Sequence, residues 1–172
     1  EVTDVYVFPK VKKEYLLEIS ASLEKLSEHP IARAIVEKAN LRKYKNVKNF
    51  KILRGRGVEG KIGLRQIIIG NQTLMKEKKV ELKGARGVIE RFEDDGKTTM
   101  IVVENKRILG VIAVADALKD DSLAAIDELN KQGYKTVMLT GDNERTAKAI
   151  AKQVVIGEVI ANILPEEKAR RV

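Results

Sequence analysis

The chain has no cysteine and a single histidine, His29. Without thiols there are no disulfides and no thiolate-bound metal, and one imidazole cannot build a histidine zinc cluster. The chain is therefore a poor ligand for soft metals. Aromatic residues are scarce, at 4% of 172 residues, with no tryptophan. No apolar run approaches the roughly 20 residues of a membrane span. The longest, Leu109 to Ala115, reads as a buried strand. No secretory segment is visible at Glu1-Val2-Thr3-Asp4, which is acidic and strand-like.

Acidic charge is the other shortfall. Lys and Arg number 33 against 25 Asp and Glu, a formal net charge of +8. Such an excess admits an anionic partner. The best basic stretch, Leu41-Arg42-Lys43-Tyr44-Lys45-Asn46-Val47-Lys48, is not matched by aromatic stacking residues, and the other lysines are dispersed. Nucleic acid is thus not an expected partner, and the lysines read as a solvated surface.

What remains is enough to bury a core and to make one large or two small domains. Val2, Val5 and Val7 form a first strand that Pro9 ends. From Glu14 the period becomes helical, with Leu16, Ile19, Leu23 and Leu26 on one face. Pro30 breaks that helix and starts another, running to about Asn40. Phe50 to Met75, punctuated by five glycines, reads as a β hairpin or meander. A short helix over Ala85–Phe92, a turn at Asp94-Asp95-Gly96-Lys97, and strands Thr98–Glu104 and Arg107–Ala115 follow. After Asp116 come a helix over Ser122–Lys131, an apolar strand over Lys135–Leu139 and a helix capped by Asn143. That alternation predicts a parallel sheet with crossover helices. The chain divides near Asp116 into a mixed α+β unit and an α/β unit.

Four places could carry chemistry. Ser27-Glu28-His29-Pro30 places the lone imidazole at a helix start, as a cap or as a ligand contact. Gly55-Arg56-Gly57-Val58-Glu59-Gly60 matches GxGxxG. A dinucleotide fingerprint needs a helix next, and Lys61 to Ile67 is strand-like, so a glycine-rich hairpin is the better reading. Thr140-Gly141-Asp142-Asn143 follows a parallel strand and opens a helix, a setting for a phosphoryl group or for a plain turn and cap. Lys168, after Leu164-Pro165-Glu166-Glu167, could neutralise phosphoryl charge or sit on a surface helix; Asp116 and Lys119 read as a site or as a hinge.

Taken in order, these pieces resemble the cytosolic ATP-binding region of the heavy-metal-transporting P-type ATPases, the copper and zinc branch. Glu24 with Ser27-Glu28-His29-Pro30 resembles the adenine-site signature, Gly55-Arg56-Gly57 its glycine pair and Gly70-Asn71 its Gly-Asn. Thr140-Gly141-Asp142-Asn143 and Leu164-Pro165-Glu166-Glu167-Lys168 resemble phosphorylation-domain motifs shared with haloacid-dehalogenase-type enzymes. The spacing at Gln153–Glu158 departs from the family's.

The resemblance implies an α+β nucleotide-binding domain, an antiparallel sheet flanked by helices that include a helical hairpin. To this is joined a partial α/β haloacid-dehalogenase-like phosphorylation domain with parallel strands. Its implied boundaries are a strand from the phosphorylation domain over 1–9, the nucleotide-binding domain over 10–115 and the phosphorylation domain over 116–172. It implies that His29 contacts adenine with Glu24 as acidic partner, that Gly55 and Gly57 admit the nucleotide to the backbone, and that Asn71 completes the pocket. Thr140 would bind the phosphoryl group, Lys168 would stabilise its charge, and Gly141 and Asp142 belong to the same loop. ATP (or ADP) and Mg²⁺ are the implied ligands, and no metal site of the chain's own. The family's DKTGT and GDGxND motifs are absent from the sequence, and are expected before Glu1 and beyond Val172. The implied whole is a copper pump, with membrane helices and an actuator domain, whose ATP-binding part lies on the cytoplasmic face of the membrane. The chain itself is expected to be soluble and monomeric, and to bind ATP without turnover. The alternative is a stand-alone haloacid-dehalogenase-type phosphatase with a cap domain, for which Asp4-Val5-Tyr6 is a poor nucleophile motif.

Overall fold

The computed structural model describes residues 1–115 and 120–163. They form two compact units, one of residues 1–89 and 99–115, the other of residues 90–98 and 120–163.

The first unit is built on a six-stranded sheet. Its strands are β1 (Val2–Val7), β2 (Val47–Leu53), β3 (Gly57–Ile62), β4 (Arg65–Gly70), β5 (Thr98–Glu104) and β6 (Arg107–Val114), in the order β1-β6-β5-β4-β3-β2. The β1–β6, β2–β3, β3–β4 and β4–β5 pairs are antiparallel. Asn105 and Lys106 join β5 to β6 with φ of 46° and 67°, the left-handed pair that a two-residue hairpin requires. Residues 1–9, expected with the second unit, belong to the first. Val5 lies opposite Ile112 and Val7 opposite Gly110, and Val2 is buried in the core. Gly110 permits the close fit, since a Cβ there would stand 2.2 Å from the Tyr6 carbonyl oxygen and 2.4 Å from Leu16 Cδ1.

Two helices, α1 (Lys13–Glu24) and α2 (Pro30–Ala39), pack together as the anticipated hairpin. Leu16, Ile19 and Leu23 recur at helical spacing on α1 and are fully buried with Ile35 of α2, Ile67 and Ile69 of β4, and Val102 and Ile112. Pro30 at the first turn and Asn40 in the left-handed conformation (φ 45°) set the ends of α2. The predicted β-rich stretch is shorter than expected: after β4 the chain turns helical as α3 (Gln72–Glu77), started by Asn71 as its cap. Leu74 and Met75, which look strand-like in sequence, are buried from that helix.

In the second unit, α4 (Arg86–Asp94) supplies its last turn and β5 its first residue. Then follow α5 (Asp120–Lys131), β7 (Val137–Leu139), α6 (Glu144–Gln153) and β8 (Glu158–Ile160). β7 and β8 are parallel, Met138 opposite Val159, with α6 as the crossover. β7 is three residues long and half-exposed, where the sequence predicts an apolar strand over Lys135–Leu139. With two strands in the described sheet, each strand is an edge and one side of it stays open.

Candidate functional site

The first unit carries two features that the sequence singled out. One is the turn from β2 into β3 through Arg54-Gly55-Arg56, closed by the Arg56 N–H donating to the Leu53 carbonyl at 2.9 Å. Gly55 has φ 67° and Gly57 φ 145°. A Cβ on Gly57 would fall 2.0 Å from the Ile69 carbonyl oxygen, and one on Gly70, its partner across the ladder, 2.4 Å from the Arg56 carbonyl oxygen. Two bare backbones therefore face each other here, and only glycine fits. A strand follows Gly57, so the GxGxxG match is a hairpin and no dinucleotide fingerprint.

Asn71 holds the turn in place. Its Nδ2 donates to the Gly55 carbonyl at 3.0 Å, its backbone N–H to the Arg56 carbonyl at 2.9 Å, and its Oδ1 accepts from the Leu74 N–H at 3.0 Å. Gly55, Gly57, Gly70 and Asn71, scattered over seventeen positions, are thus one assembly. Arg56 is drawn to Glu77 at 2.8 Å.

The second feature is the junction of α1 and α2. Glu24 ends α1 and is 3% exposed, and its carboxyl has no ion pair with any described residue. Burial alone pushes its carboxyl from the ordinary range up to about 7. Three residues on, the Ser27 N–H donates to the Glu24 carbonyl at 2.9 Å, and the His29 N–H to Ser27 Oγ at 3.3 Å. His29 is the cap of α2: its Nδ1 accepts from the Ile31 N–H at 3.2 Å. In that role Nδ1 carries no proton, the proton resides on Nε2, and the exposed ring is held by the helix start. The cap reading and the ligand reading of His29 are therefore compatible. Leu23, next to Glu24, stands over Gly60, where a Cβ would be 2.7 Å from its Cδ1. The end of α1 is thereby packed on the strand that leaves the glycine turn. The largely buried carboxyl and the oriented imidazole thus flank the junction of α1 and α2 in the chain, and α1 packs on the strand that follows the glycine turn.

In the second unit, the loop after β7 is tightly organised. Thr140 Oγ1 donates to Asp142 Oδ2 at 2.7 Å and accepts from the Asp142 N–H at 3.1 Å. The other oxygen, Asp142 Oδ1, accepts from Thr98 Oγ1 at 2.9 Å. The Thr140 N–H donates to the Ile160 carbonyl at 3.0 Å and the Asn162 N–H to the Asp142 carbonyl at 2.8 Å, fastening the loop to β8 and its exit. Gly141 lies 3.3 Å, by the position of its would-be Cβ, from the Ile163 carbonyl oxygen. Asn143 caps α6 through the Thr146 N–H at 3.0 Å and donates to Thr146 Oγ1 at 3.0 Å. Thr140, Gly141 and Asp142 are thus brought together at the strand end. Lys168 lies outside the described residues, as do Asp116 and Lys119.

A family profile described as haloacid dehalogenase-like hydrolase matches residues 2–170. The chain belongs to this hydrolase family. It is similar to a copper-exporting P-type ATPase of Staphylococcus saprophyticus, 43% identical over 161 residues that make up 92% of this chain and 20% of that protein. It is also similar to the solved structure of a zinc-transporting PIB-type ATPase in an E2·Pi state, at TM-score 0.66 and 34% identity, covering 100% of this chain and 28% of that one. The catalytic domain of the CPx-ATPase CopB-B, studied for its conformational changes upon nucleotide binding, matches at TM-score 0.71 and 27% identity, covering 99% of this chain and 58% of that one. The chain thus spans about one fifth of the curated relative it matches. The resemblance to the heavy-metal P-type ATPases and the expected fold class both stand: an antiparallel sheet with helices, and a smaller parallel sheet in the manner of the hydrolase family.

Within this family member, sequence reasoning missed Thr98, Thr146 and Arg145. Thr98 is 44 positions from the Asp142 carboxylate it donates to. Thr146 Oγ1 donates to the Lys97 carbonyl at 3.0 Å, and Arg145 pairs with Asp94 at 2.9 Å. The only signal was Asp94-Asp95-Gly96-Lys97, legible as a turn but not as the brace of a loop. No group of three or more metal-ligating side chains occurs among the described residues. The described residues therefore do not by themselves fit Mg²⁺.

Proposed function

We propose that this chain is the ATP-binding part of a heavy-metal-exporting P-type pump, lying at the cytoplasmic face of a membrane, with copper as cargo. In this reading the first unit is the nucleotide-binding domain and the second is part of the phosphorylation domain. The observation that carries it is Glu24, a largely buried carboxyl with no ion pair to any described residue, five positions ahead of an imidazole that a helix cap holds in place. A buried polar group of this kind is costly unless a ligand completes it. The exocyclic amine of adenine is a matching donor, and the His29 ring offers a face for the purine. At the glycine turn, Gly55 carries no side chain to bar approach to the backbone, Gly57 makes room for the neighbouring strand, and Asn71 keeps that turn in one shape.

In the whole pump, ATP held here delivers its γ-phosphoryl group to the aspartate of a DKTGT segment. Phosphoryl transfer of this kind relies on positioning and charge stabilisation rather than on covalent help. Thr140 would hydrogen-bond the transferring group, for which its hydroxyl must turn away from Asp142. Lys168 would stabilise the charge. Magnesium, when bound to the nucleotide, supplies further neutralisation of the phosphates.

Base contacts without a complete phosphate site give weak binding, near millimolar or about 4–5 kcal/mol. The test is titration of ATP into the wild-type chain and into His29→Ala, followed by amide shifts. Clear weakening in the variant is expected. Equal affinities would remove His29 from the site.

A further inference from the structure

Ile52, the penultimate residue of β2, is 58% exposed, yet it lies directly opposite Val58, which is 3% exposed. The Cβ direction of Gly60 leads to Leu23 of α1, so Val58 and Gly60, two apart on β3, face the α1 side. Ile52, paired with Val58, faces the same side. Leu23 covers the sheet at Gly60, and nothing comparable covers Ile52. The edge strand carries it, one residue ahead of Leu53, whose carbonyl closes the glycine turn. Leu26, just past the end of α1, is also left 50% exposed. Two exposed apolar side chains thus adjoin the site residues in the chain, Ile52 ahead of the glycine turn and Leu26 after Glu24.

We propose that Ile52 is the apolar wall of the base site, packing against the heterocycle that Glu24 and His29 address and so setting the preference for a purine. The inference rests on the nucleotide reading above. A flat ring needs apolar surface on a face as well as polar partners at its edge, and Ile52 is the exposed β-branched side chain within three residues of the turn. It also explains why an isoleucine is left uncovered on an edge strand, where such a residue is a liability for pairing with another chain.

The test compares wild type, Ile52→Thr, Ile52→Val and His29→Ala in the whole chain. Threonine keeps the β-branch that suits a strand and removes apolar surface, and valine keeps most of that surface. ATP and inorganic tripolyphosphate are titrated into each, with amide spectra to verify the fold. The expected result is about tenfold weaker ATP binding for Ile52→Thr, some 1.4 kcal/mol. Ile52→Val should stay within about twofold of wild type, and tripolyphosphate affinity should be unchanged throughout. ATP binding to Ile52→Thr as tight as to wild type, while His29→Ala is weakened, would overturn this inference and leave the nucleotide reading intact. Absence of ATP binding by wild type would overturn both. Equal losses for ATP and tripolyphosphate in Ile52→Thr would also overturn it, because a wall for the base cannot act on phosphate alone.

Discussion

Replacing Glu24 with glutamine separates the requirements of the fold from those of the proposed site. Glu24 is 3% exposed and its carboxyl titrates at about 7 against an ordinary 4.5. The raised value means the folded chain holds a proton that the unfolded chain releases between those two limits. Stability therefore falls as pH rises through that window, because the unfolded state binds fewer protons there. The interval of about 2.5 pH units, at 1.36 kcal/mol each, corresponds to about 3 kcal/mol lost by pH 8. Glutamine fills nearly the same volume without a titrating charge. Glu24→Gln should match wild type near pH 4.5 and exceed it by about 2–3 kcal/mol at pH 8.5. Urea unfolding at the two pH values, read from the amide signals of Leu16, Ile19 and Leu23 on the same helix, measures the difference in the first unit alone. An advantage of Glu24→Gln that is equal at both pH values would refute the reasoning, as would a ¹³C titration placing the carboxyl near 4.5. In the ligand reading the ionised carboxylate accepts from an amine, so ATP affinity of the wild type should rise between pH 6 and 8 and that of the variant should not.

Three further outcomes follow from particular contacts. Gly57→Ala places a methyl group 2.0 Å from the Ile69 carbonyl oxygen at φ 145°, so the β2–β3 hairpin must distort; a loss of about 3 kcal/mol or more is expected in urea unfolding. Asn71→Ala removes the cap of α3 and the tie to Gly55, costing about 1–2 kcal/mol of stability and loosening the turn, which hydrogen exchange at Gly55–Gly57 will report. With no DKTGT segment in the sequence, the chain should leave a generic aryl phosphate unhydrolysed; turnover that Thr140→Val abolishes would favour a phosphatase instead.

Much of the first unit was readable because its signals are local. Helical spacing at Leu16, Ile19 and Leu23, a proline at the second helix start and an Asn-Lys turn each act within a few residues. The partner of β1 was not readable, since nothing in Val2–Val7 records that Gly110 is bare enough to receive it. Helix α3 was mistaken for strand because Asn71 acts as a cap only when its Oδ1 meets the Leu74 N–H, which β propensity does not encode. At the sites, the residue types around His29 and Thr140 were legible as motifs. Their partners across the chain were not, as the Thr98–Asp142 bond illustrates. That His29 Nδ1 is occupied by its own helix, leaving Nε2 and the ring, is a matter of geometry alone.

The central claim is that the first unit holds an adenine nucleotide between the α1–α2 junction and the glycine turn. Titration of ATP into the ¹⁵N-labelled chain tests it most directly. Saturable shifts concentrated at residues 24–31, 52–58 and 70–71 are expected, with a dissociation constant near 1 mM, about 4 kcal/mol. Shifts spread over the exposed lysines without saturation, or none at all at those three segments, would contradict it.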